Sequence, residues 1–452
     1  MNTPIIDFIR DYKEKEGTRF HMPGHKGHVF FGWEPYDITE IPGADVLHLG
    51  DGIIRESEKN ASELFGTGET FYCTGGSSQC IKAMLAALRM AWQEEGREGK
   101  PWILAGRNVH RSMIDACALV DLEARFLWGE KGGHLCSQVI SGKQLQEALH
   151  QAEHKPMAVY VTSPDYLGQQ ADVGELACIC HREGIPLVVD NAHGAYLHFL
   201  EEKCHPMDLG AAMCCDSAHK TLPALTGGAY LHVHSEYGKR YLPYLRQALL
   251  LFGSTSPSYL ILQSLDYCNA YLSEGYKERL RDTIEKVRNW KKRFVRAGGQ
   301  VMPSEPLKIV LHTAGHGYTG KQIAKELRSY QIECEYEEEA LVVFMVSTAN
   351  TDRDWERLYQ WGENTRMLRH QRAGLPVAGL EPFETHQIIG IREAVFSGSE
   401  VVPVERALHR ICAAETVSCP PAVPIAVCGE EITETMVREF KKFGIKEVSV
   451  VL

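Results

Sequence analysis

The chain has 452 residues, 44% hydrophobic and 24% charged, a composition typical of a globular protein with a large core and more than one domain. Its formal net charge of −11, with no long basic run, argues against nucleic acid or an anionic membrane as the main partner. An acidic surface would suit a cationic substrate, although solubility alone explains it equally well.

The start of the chain and its cysteines indicate a cytoplasmic protein. Residues 1–7 lead into a charged amphipathic stretch without the apolar core of a signal peptide, and no run approaches the ~18 apolar residues of a membrane span. The 14 cysteines are irregularly spaced, so we expect reduced thiols packed as small hydrophobic side chains. Cys178, Cys180 and His181 lie in a predicted helix that ends at Gly184, and we expect no metal there.

From about residue 70 to 235, short apolar runs alternate with amphipathic helical patterns. The runs are continuous, as in strands covered on both faces, and the alternation predicts an α/β fold with a mostly parallel sheet between helices. The predicted strands are Trp102–Ala105, Met157–Val161, Pro186–Asp190, Ala211–Cys215 and Gly228–His232. The predicted helices between them are Ser77–Glu94, Ser141–Ala152 and Val173–Glu183.

The second half of the chain predicts a connector and a smaller α/β unit. A proline-free helical stretch runs from Ser258 to about Ala297 and precedes a strand at Lys308–His312, a helix at Gly320–Tyr330 and a strand at Ala340–Val346. We therefore expect four parts. They are an N-terminal segment lining the active site (1–50), a large domain (51–270), the connector with a small domain (271–375) and a C-terminal subdomain (376–452).

Polar clusters follow the predicted strands, where ligands bind in such sheets. In the turn Asp216-Ser-Ala-His-Lys-Thr221, Lys220 directly follows an apolar strand. A desolvated amine in this setting can form a Schiff base, and a merely solvated lysine is a poor explanation of its surroundings. Ser217 and His219 flank it and could donate hydrogen bonds to a phosphate.

The strand before this one ends at Asp190. Alone, such an acid could simply cap a helix, but together with Lys220 it could keep a pyridine nitrogen protonated, so that a cofactor ring accepts electrons. Ala192 is small enough to pack beneath a flat ring. His193 is either a catalytic acid or a buried structural histidine.

Two earlier loops complete the candidate site. Gly75, Gly76, Ser77 and Ser78 open a predicted helix and offer backbone N–H groups and hydroxyls to a phosphate, although the loop lacks the Gly-x-x-x-x-Gly-Lys-Ser/Thr pattern of a P-loop. His110 follows a strand and could stack on a cofactor ring or be a buried structural histidine.

In their order, these motifs resemble the Orn/Lys/Arg decarboxylase family, which belongs to the fold type I, aspartate-aminotransferase-like enzymes that use pyridoxal 5′-phosphate (PLP). The resemblance covers essentially the whole chain and implies a large PLP-binding domain with a smaller C-terminal α/β domain. The motifs that carry it are Phe20-His-Met-Pro-Gly-His-Lys-Gly27, Asp37-Ile-Thr-Glu40 with Asp45, Thr74-Gly-Gly-Ser-Ser78, Asn108-Val-His-Arg-Ser112, Ser163-Pro-Asp-Tyr-Leu-Gly168, Asp190-Asn-Ala-His-Gly194, Ser217-Ala-His-Lys-Thr-Leu-Pro-Ala-Leu-Thr226, Ser254-Thr-Ser-Pro-Ser-Tyr259, and Cys419-Pro-Pro-Ala-Val-Pro424 with Gly429 and Glu430.

The resemblance implies a role for each candidate residue. Lys220 would hold PLP as an imine, Asp190 would pair with the pyridinium nitrogen, and His110 would stack on the ring face opposite Ala192. Members of the family are dimers at minimum, with active sites at the interface, so the resemblance implies a homodimer with shared sites. The implied phosphate contacts are Gly76, Ser77, Ser78, Ser217 and His219, with Ser254 and Ser256 from the neighbouring subunit.

The expected reaction is decarboxylation of arginine, lysine or ornithine to the corresponding amine and CO2. The expected substrate contacts are His21, His25, Asp45, Asp165 and Glu335. The alternatives are another PLP reaction, such as aminotransfer or a lyase step, or a cofactor-less binding protein. The joint presence of Lys220, Asp190 and His110 speaks against the last.

Four positions depart from the family pattern. Gly75, Arg111, Asp165 and Asn191 stand where the family usually has Asn, Lys, Thr and Glu. Because Asp165 is predicted at a strand end facing the site, it could alter the substrate or the reaction. The chain resembles the short members of the family, which lack an N-terminal wing domain.

Overall fold

A seven-stranded sheet forms the centre of the protein. The structure, a computed structural model, describes residues 1–97, 99–129, 134–370, 372–414 and 423–452. The strands of the sheet are β1 (Glu69–Cys73), β2 (Trp102–Gly106), β3 (Glu123–Leu127), β4 (Ala158–Thr162), β5 (Leu187–Asp190), β6 (Met213–Asp216) and β7 (Ala229–Val233). Their order is β1-β7-β6-β5-β4-β2-β3, and only the two pairs that involve β7 are antiparallel. The mostly parallel sheet predicted from the sequence is confirmed.

Helices cover this sheet on both faces. The helices of the N-terminal segment and the sheet region are α1 (Pro4–Glu14), α2 (Ile53–Leu64), α3 (Gly76–Glu94), α4 (Arg111–Val120), α5 (Gly142–Gln151), α6 (Val173–Glu183), α7 (Ala218–Thr221), α8 (Leu242–Phe252) and α9 (Tyr259–Ser273). On β4, Tyr160 packs with α3 and α4, whereas its neighbours Val159 and Val161 pack with α5 and α6. Burial on alternate sides explains why the strand sequences are apolar throughout.

The connector consists of two helices, not the single long helix predicted from Ser258 to Ala297. Helix α9 ends at Ser273, and α10 (Tyr276–Arg296) begins after Gly275. Gly275 has φ of +64°, in the left-handed region that interrupts a right-handed helix and that glycine adopts without steric cost. The left-handed conformation of this glycine therefore separates the two helices.

The small unit is a four-stranded antiparallel sheet with helices. Its strands are β8 (Val301–Met302), β9 (Lys308–His312), β10 (Tyr336–Glu337) and β11 (Leu341–Met345), in the order β10-β11-β9-β8. Its helices are α11 (Gly320–Ser329), α12 (Asp352–Asn364) and α13 (Arg366–Arg369). Trp290 and Phe294 of α10 stack with Trp361 of α12 in the core of this unit.

The C-terminal part contains α14 (Ile391–Phe396), β12 (Ser399–Pro403), α15 (Glu434–Lys442) and β13 (Glu447–Val451), and its two strands pair antiparallel. Residues 419–422 of the tail motif lie outside the described residues. The domain limits given above stay a prediction. Within the described ranges, no helix combines the length and apolarity needed to cross a membrane.

Candidate active site

The loops after β5 and β6 lie side by side and bring Lys220 to His193. Lys220 lies in the short helix α7, separated from the end of β6 by Ser217. Its Nζ is 3.1 Å from Nε2 of His193, although the two residues are 27 positions apart. An amine and an imidazole thus meet at the carboxyl end of a parallel sheet, the edge where ligands of such folds bind.

Asp190, the last residue of β5, is 2% exposed. Its Oδ1 accepts hydrogen bonds from the backbone N–H of Ala192, at 3.1 Å, and from the thiol of Cys215, at 3.7 Å. These bonds fix the carboxylate one strand away from Lys220. A carboxylate held in this way can keep a cofactor ring nitrogen protonated.

His110 caps helix α4 and presents an uncharged ring. Its Nδ1 accepts a hydrogen bond from the backbone N–H of Ser112 at 3.1 Å, so the neutral ring carries its proton on Nε2. Burial lowers the pKa of His110; the charge of Asp190 opposes this effect and that of Lys220 adds to it. The three predicted side chains therefore lie within electrostatic reach of one another.

The Gly-Gly-Ser-Ser loop and the lysine turn meet at the start of helix α3. The hydroxyl of Ser217 donates to Oγ of Ser77 at 2.9 Å. Gly76 has φ of +70°, and a Cβ added there would meet nothing within 4 Å, so open space remains beside the two hydroxyls. Hydroxyls and a long helix N-terminus around an open space suit a phosphate. The neighbouring amine, carboxylate and neutral imidazole suit the rest of PLP, so these residues fit that cofactor.

His219 links the lysine turn to the backbone of Gly228. Its Nδ1 lies 3.0 Å from the carbonyl oxygen of Gly228, which can only accept, so Nδ1 carries the proton. Burial lowers the pKa of His219, so the ring is held neutral with Nε2 left to accept. The structure brings His219 to the lysine turn, as predicted, without showing a phosphate contact.

The sequence did not single out Lys308, which lies on the other side of His193. Lys308 opens strand β9 of the small unit, is fully buried, and its Nζ is 3.3 Å from Nδ1 of His193. Burial and the neighbouring lysines hold the pKa of His193 well below its usual value. The only signal in the sequence is a lysine at the start of an otherwise apolar strand.

Asp165 lies close to this cluster, but its carboxylate is already engaged in hydrogen bonds within the protein. One carboxylate oxygen accepts from the hydroxyl of Ser137, and the other accepts from the backbone N–H groups of Leu167 and Gln169. Asp165 is fully buried, and burial raises its pKa to about 6. Its carboxylate therefore orders the loop after β4 and is not presented to an open space.

Glu335 reaches the cluster through Tyr166. The hydroxyl of Tyr166 donates to Oε1 of Glu335 at 2.9 Å, and the ring of Tyr166 lies edge-on to His193 with centroids 5.4 Å apart. Glu335 is exposed, unlike Asp165. Of the acids predicted to bind substrate, Glu335 combines exposure with a link to His193.

The predicted contacts from the N-terminal segment are not brought to Lys220 within one subunit. Asp45 accepts hydrogen bonds from the backbone N–H groups of Gly52, Ile54 and Arg55 and thereby caps helix α2. His21 lies 2.6 Å from the hydroxyl of Tyr12, and His25 lies 3.3 Å from Asp37. All of these partners lie in residues 1–64.

Ser254 and Ser256 lie in an exposed turn between α8 and α9. The backbone N–H of Ser256 donates to Oγ of Ser254 at 3.0 Å. The described hydrogen bonds of this turn do not include the hydroxyls of Ser77 or Ser217. The roles of Ser254 and Ser256 at a phosphate stay a prediction.

A buried polar network behind the lysine turn was also missed. Asp216, the last residue of β6, accepts from Asn191 at 2.6 Å and from His205 at 3.0 Å, and it lies 3.3 Å from His232. The two histidines keep the pKa of Asp216 well below its usual value despite burial. His205 with Asp216 and His232, or with His198 and Asp208, has a spacing that could hold a metal. The hydrogen bonds among these side chains already account for their arrangement.

Comparison with protein families gives one match that covers most of the chain. The family described as "Orn/Lys/Arg decarboxylase, major domain" matches residues 3–312. The match contains the Gly-Gly-Ser-Ser loop, Asp190, the lysine turn and Lys308.

Several curated proteins are similar along nearly the whole chain. The Bacillus subtilis protein YaaO, itself uncharacterised, is 29% identical and covers 98% of this chain and 94% of its own length. An arginine decarboxylase of Halalkalibacterium halodurans is 28% identical over the same shares, and that of Bacillus subtilis is 26% identical over 96% of this chain and 91% of its own.

Solved structures show the same fold. The lysine decarboxylase LdcF of Francisella novicida superposes with a TM-score of 0.80 at 17% identity, covering 100% of this chain and 81% of that one. The constitutive lysine decarboxylase of Escherichia coli gives 0.78 at 16% identity, covering 100% and 82%.

Proposed function

The chain belongs to the Orn/Lys/Arg decarboxylase family and is a PLP-dependent decarboxylase, and we propose that it converts arginine, lysine or ornithine to the corresponding amine and CO2. The observation that carries this proposal is the approach of Lys220 to His193 beside the buried Asp190. Arginine is the first substrate to test, since relatives named arginine decarboxylases match over nearly the full chain.

Each predicted cofactor contact has a place in this proposal. When bound, PLP draws away the electron pair that departing CO2 leaves on the α-carbon. Lys220 would be the amine that holds the cofactor, and Asp190 would keep a proton on the cofactor's ring nitrogen. The neutral ring of His110 would lie against one face of the cofactor ring, and the small side chain of Ala192 would permit close approach to the other face. The residues that would hold the phosphate are Ser77, Ser78 and Ser217, with Gly76 and His219.

His193 supplies the proton that the reaction consumes. Loss of CO2 breaks the bond between the α-carbon and the carboxylate, and the electron pair left behind takes up one proton. Nε2 of His193 lies 3.1 Å from Nζ of Lys220 and therefore close to the reacting atoms. Burial and the neighbouring lysines hold the pKa of His193 low, so the ring donates as a general acid from its protonated form, which is a strong acid, and returns to the neutral form that prevails near pH 7.

The cationic end of the substrate would pair with Glu335. Its carboxylate is exposed and is joined to Tyr166, whose ring contacts His193. A carboxylate that neutralises a cation from which water has been excluded favours binding and selects basic amino acids. Asp165 acts on the same side of the site by ordering the loop that carries Tyr166.

The complete site would require a second copy of the chain. The N-terminal segment leaves Phe20 and Phe31 95% and 86% exposed, as expected of side chains that a partner subunit covers. His21 and His25 lie in the same segment, and Ser254 and Ser256 lie in an exposed turn. A two-fold dimer would carry all four side chains to the neighbouring site.

We expect the purified protein to release CO2 and an amine from at least one of the three amino acids. Mass spectrometry of the products would also detect aminotransfer or a lyase step. Lys220→Ala should abolish both turnover and the borohydride-stable attachment of PLP. Retention of that attachment in Lys220→Ala would contradict the assignment of the lysine. Products from none of the three amino acids would contradict the substrate proposal alone.

A further inference from the structure

Lys308 is buried against the active site, and the role of Lys220 proposed above does not use it. Its Nζ lies 3.3 Å from Nδ1 of His193, 3.2 Å from the carbonyl oxygen of Asp165 and 3.9 Å from Oε1 of Glu305. An ammonium group can donate to the imidazole nitrogen and to the carbonyl oxygen, and the carboxylate of Glu305, too distant for a hydrogen bond, adds an attractive negative charge. The surroundings therefore match a protonated lysine.

The charges around Lys308 support the same protonation state. Burial lowers its pKa, and the charge of Lys220 acts in the same direction. The carboxylates of Glu305, Asp165 and Glu335 oppose this effect. Glu305 itself accepts from the hydroxyl of Tyr196 and from a backbone N–H, so its carboxylate is fixed beside the lysine.

The contact with Lys308 determines which nitrogen of His193 carries the proton. An ammonium group can donate but not accept, so Nδ1 of His193 must accept from Lys308. A neutral imidazole with an accepting Nδ1 has its proton on Nε2. The charged or titratable groups around His193 include Lys308, Lys220, His110, His219 and the phenol of Tyr166. With the ammonium group of Lys308 3.3 Å from Nδ1, a second proton on the ring is disfavoured.

We propose that Lys308 is a positioning residue that fixes His193 as the Nε2–H tautomer and thereby keeps the amine of Lys220 uncharged. Nε2–H points at Nζ of Lys220 across 3.1 Å, so that nitrogen must offer its lone pair. An uncharged amine is the form that attacks an aldehyde, with loss of water, when PLP attaches. The inference rests on the proposed role of Lys220 and adds the residue that sets its protonation.

The test follows PLP attachment, not turnover. Apoenzyme is mixed with PLP at a series of pH values from about 6 to about 9. The covalent adduct formed at each pH is trapped with borohydride and quantified by mass spectrometry. Lys308→Met removes both donor and charge while keeping an unbranched side chain. We expect the pH midpoint of attachment to rise by about one unit, which makes attachment about tenfold slower below the midpoint.

Two further variants separate this effect from a general loss of structure. Lys308→Arg retains a charged donor and should restore the midpoint towards that of the wild type. Lys291→Met is the matched control, because Lys291 is partly buried near Glu305 and bonds Ser304, not His193. It should leave the midpoint unchanged.

A measurement on the wild type keeps the proposal testable if Lys308→Met does not fold. Nitrogen-15 NMR of histidine-labelled apoenzyme, assigned by comparison with His193→Asn, should show protonated Nε2 and unprotonated Nδ1. A protonated Nδ1, or an unchanged midpoint in folded Lys308→Met, would overturn the proposal. Failure of wild-type PLP to attach to Lys220 would instead overturn the proposed role of Lys220.

Discussion

Two buried aspartates near Lys220 have opposite pKa shifts because their hydrogen-bond donors differ. Asp216 faces two imidazole rings and an amide, and their combined effect outweighs burial and lowers its pKa. Asp165 accepts from a hydroxyl and two backbone N–H groups, which offset burial only in part, and its pKa rises to about 6. At neutral pH the charge on Asp216 is well stabilised, whereas the charge on Asp165 costs folding free energy.

The raised pKa of Asp165 predicts a specific dependence of stability on pH. Because the folded carboxyl binds its proton more tightly than the unfolded one, this group makes the protein less stable as the pH rises through about 6. Asp165→Asn removes that loss. The stability of the variant relative to the wild type should increase by up to about 3 kcal/mol between pH 4 and pH 7, measured by urea unfolding.

Asp282→Asn is the control for this experiment, because Asp282 is exposed on helix α10. The difference in unfolding free energy between Asp282→Asn and the wild type should not depend on pH. If Asp165→Asn behaved like this control, the carboxyl of Asp165 would not have a raised pKa.

Glu335 allows a test of substrate charge at a single residue. Glu335→Gln keeps an oxygen to accept from Tyr166 but removes the negative charge. We expect KM for the preferred basic amino acid to rise about tenfold or more, with PLP content unchanged. Steady-state kinetics check this, with Glu333→Gln as the matched control, since Glu333 pairs with Arg328 at the surface. Equal KM values in both variants would contradict the assignment.

The residues predicted from the sequence were those whose chemistry is unusual for their position. Lys220 after an apolar strand and Asp190 at a strand end could be singled out because few structural roles explain them. Lys308 was missed because a lysine at the start of a strand is common on surfaces. The network around Asp216 was missed because Asn191, His205 and His232 lie in three separate segments that share no sequence motif and meet only in the folded sheet.

The elements of the C-terminal part are anchored to the large domain by a buried ion pair. Arg107, directly after β2, donates to both carboxylate oxygens of Glu430 at 2.8 and 2.7 Å. It also donates to the carbonyl oxygens of Pro424 and Ile425. Since Arg107 begins the loop that leads to His110, the tail helps to hold that loop in place.

Removal of one partner should therefore destabilise the fold strongly. Glu430→Ala leaves the guanidinium of Arg107 buried without its carboxylate, and we expect the free energy of unfolding to fall by about 3–5 kcal/mol in urea titrations. Glu400→Ala breaks a partly exposed pair with Arg410 and should cost below about 1 kcal/mol. Similar losses of unfolding free energy in both variants would show that burial of the Arg107–Glu430 pair does not add to stability.

Among the helices and strands, the features that could be predicted from the sequence are those that hydrophobic periodicity determines. The continuous apolar runs placed five strands to within two residues at either end. Periodicity carries no information on strand direction, so the antiparallel pairing of β7 was not predicted. The break at Gly275 was overlooked because the helical pattern continues on both sides of it.

The whole molecule presents apolar surface where a partner subunit is expected. Phe20, Phe31 and other side chains of the N-terminal segment are largely exposed in the isolated chain. Burial of such surface favours association of two copies of the chain. A closed two-fold dimer buries the surface of both copies without adding further copies.

Hybrid dimers would test whether the sites are shared. If Ser256 serves the neighbouring site, a mixture of Lys220→Ala and Ser256→Ala subunits contains hybrids in which one site has both native residues. We expect up to about one quarter of wild-type activity from such a mixture, because random pairing makes half of the dimers hybrid and each has one intact site. The premise is that Ser256→Ala alone is inactive. Sedimentation as a monomer at assay concentration would contradict the dimer.

The sheet order has a consequence for the time at which PLP can bind during synthesis. The hydroxyls of Ser77 and Ser217 are 140 positions apart, and they meet only after β7 has paired with β1. Lys308 arrives later still, 115 positions after His193. A nascent chain therefore holds no complete site until most of it has left the ribosome. PLP cannot guide early folding, and its binding stabilises a nearly finished chain by mass action.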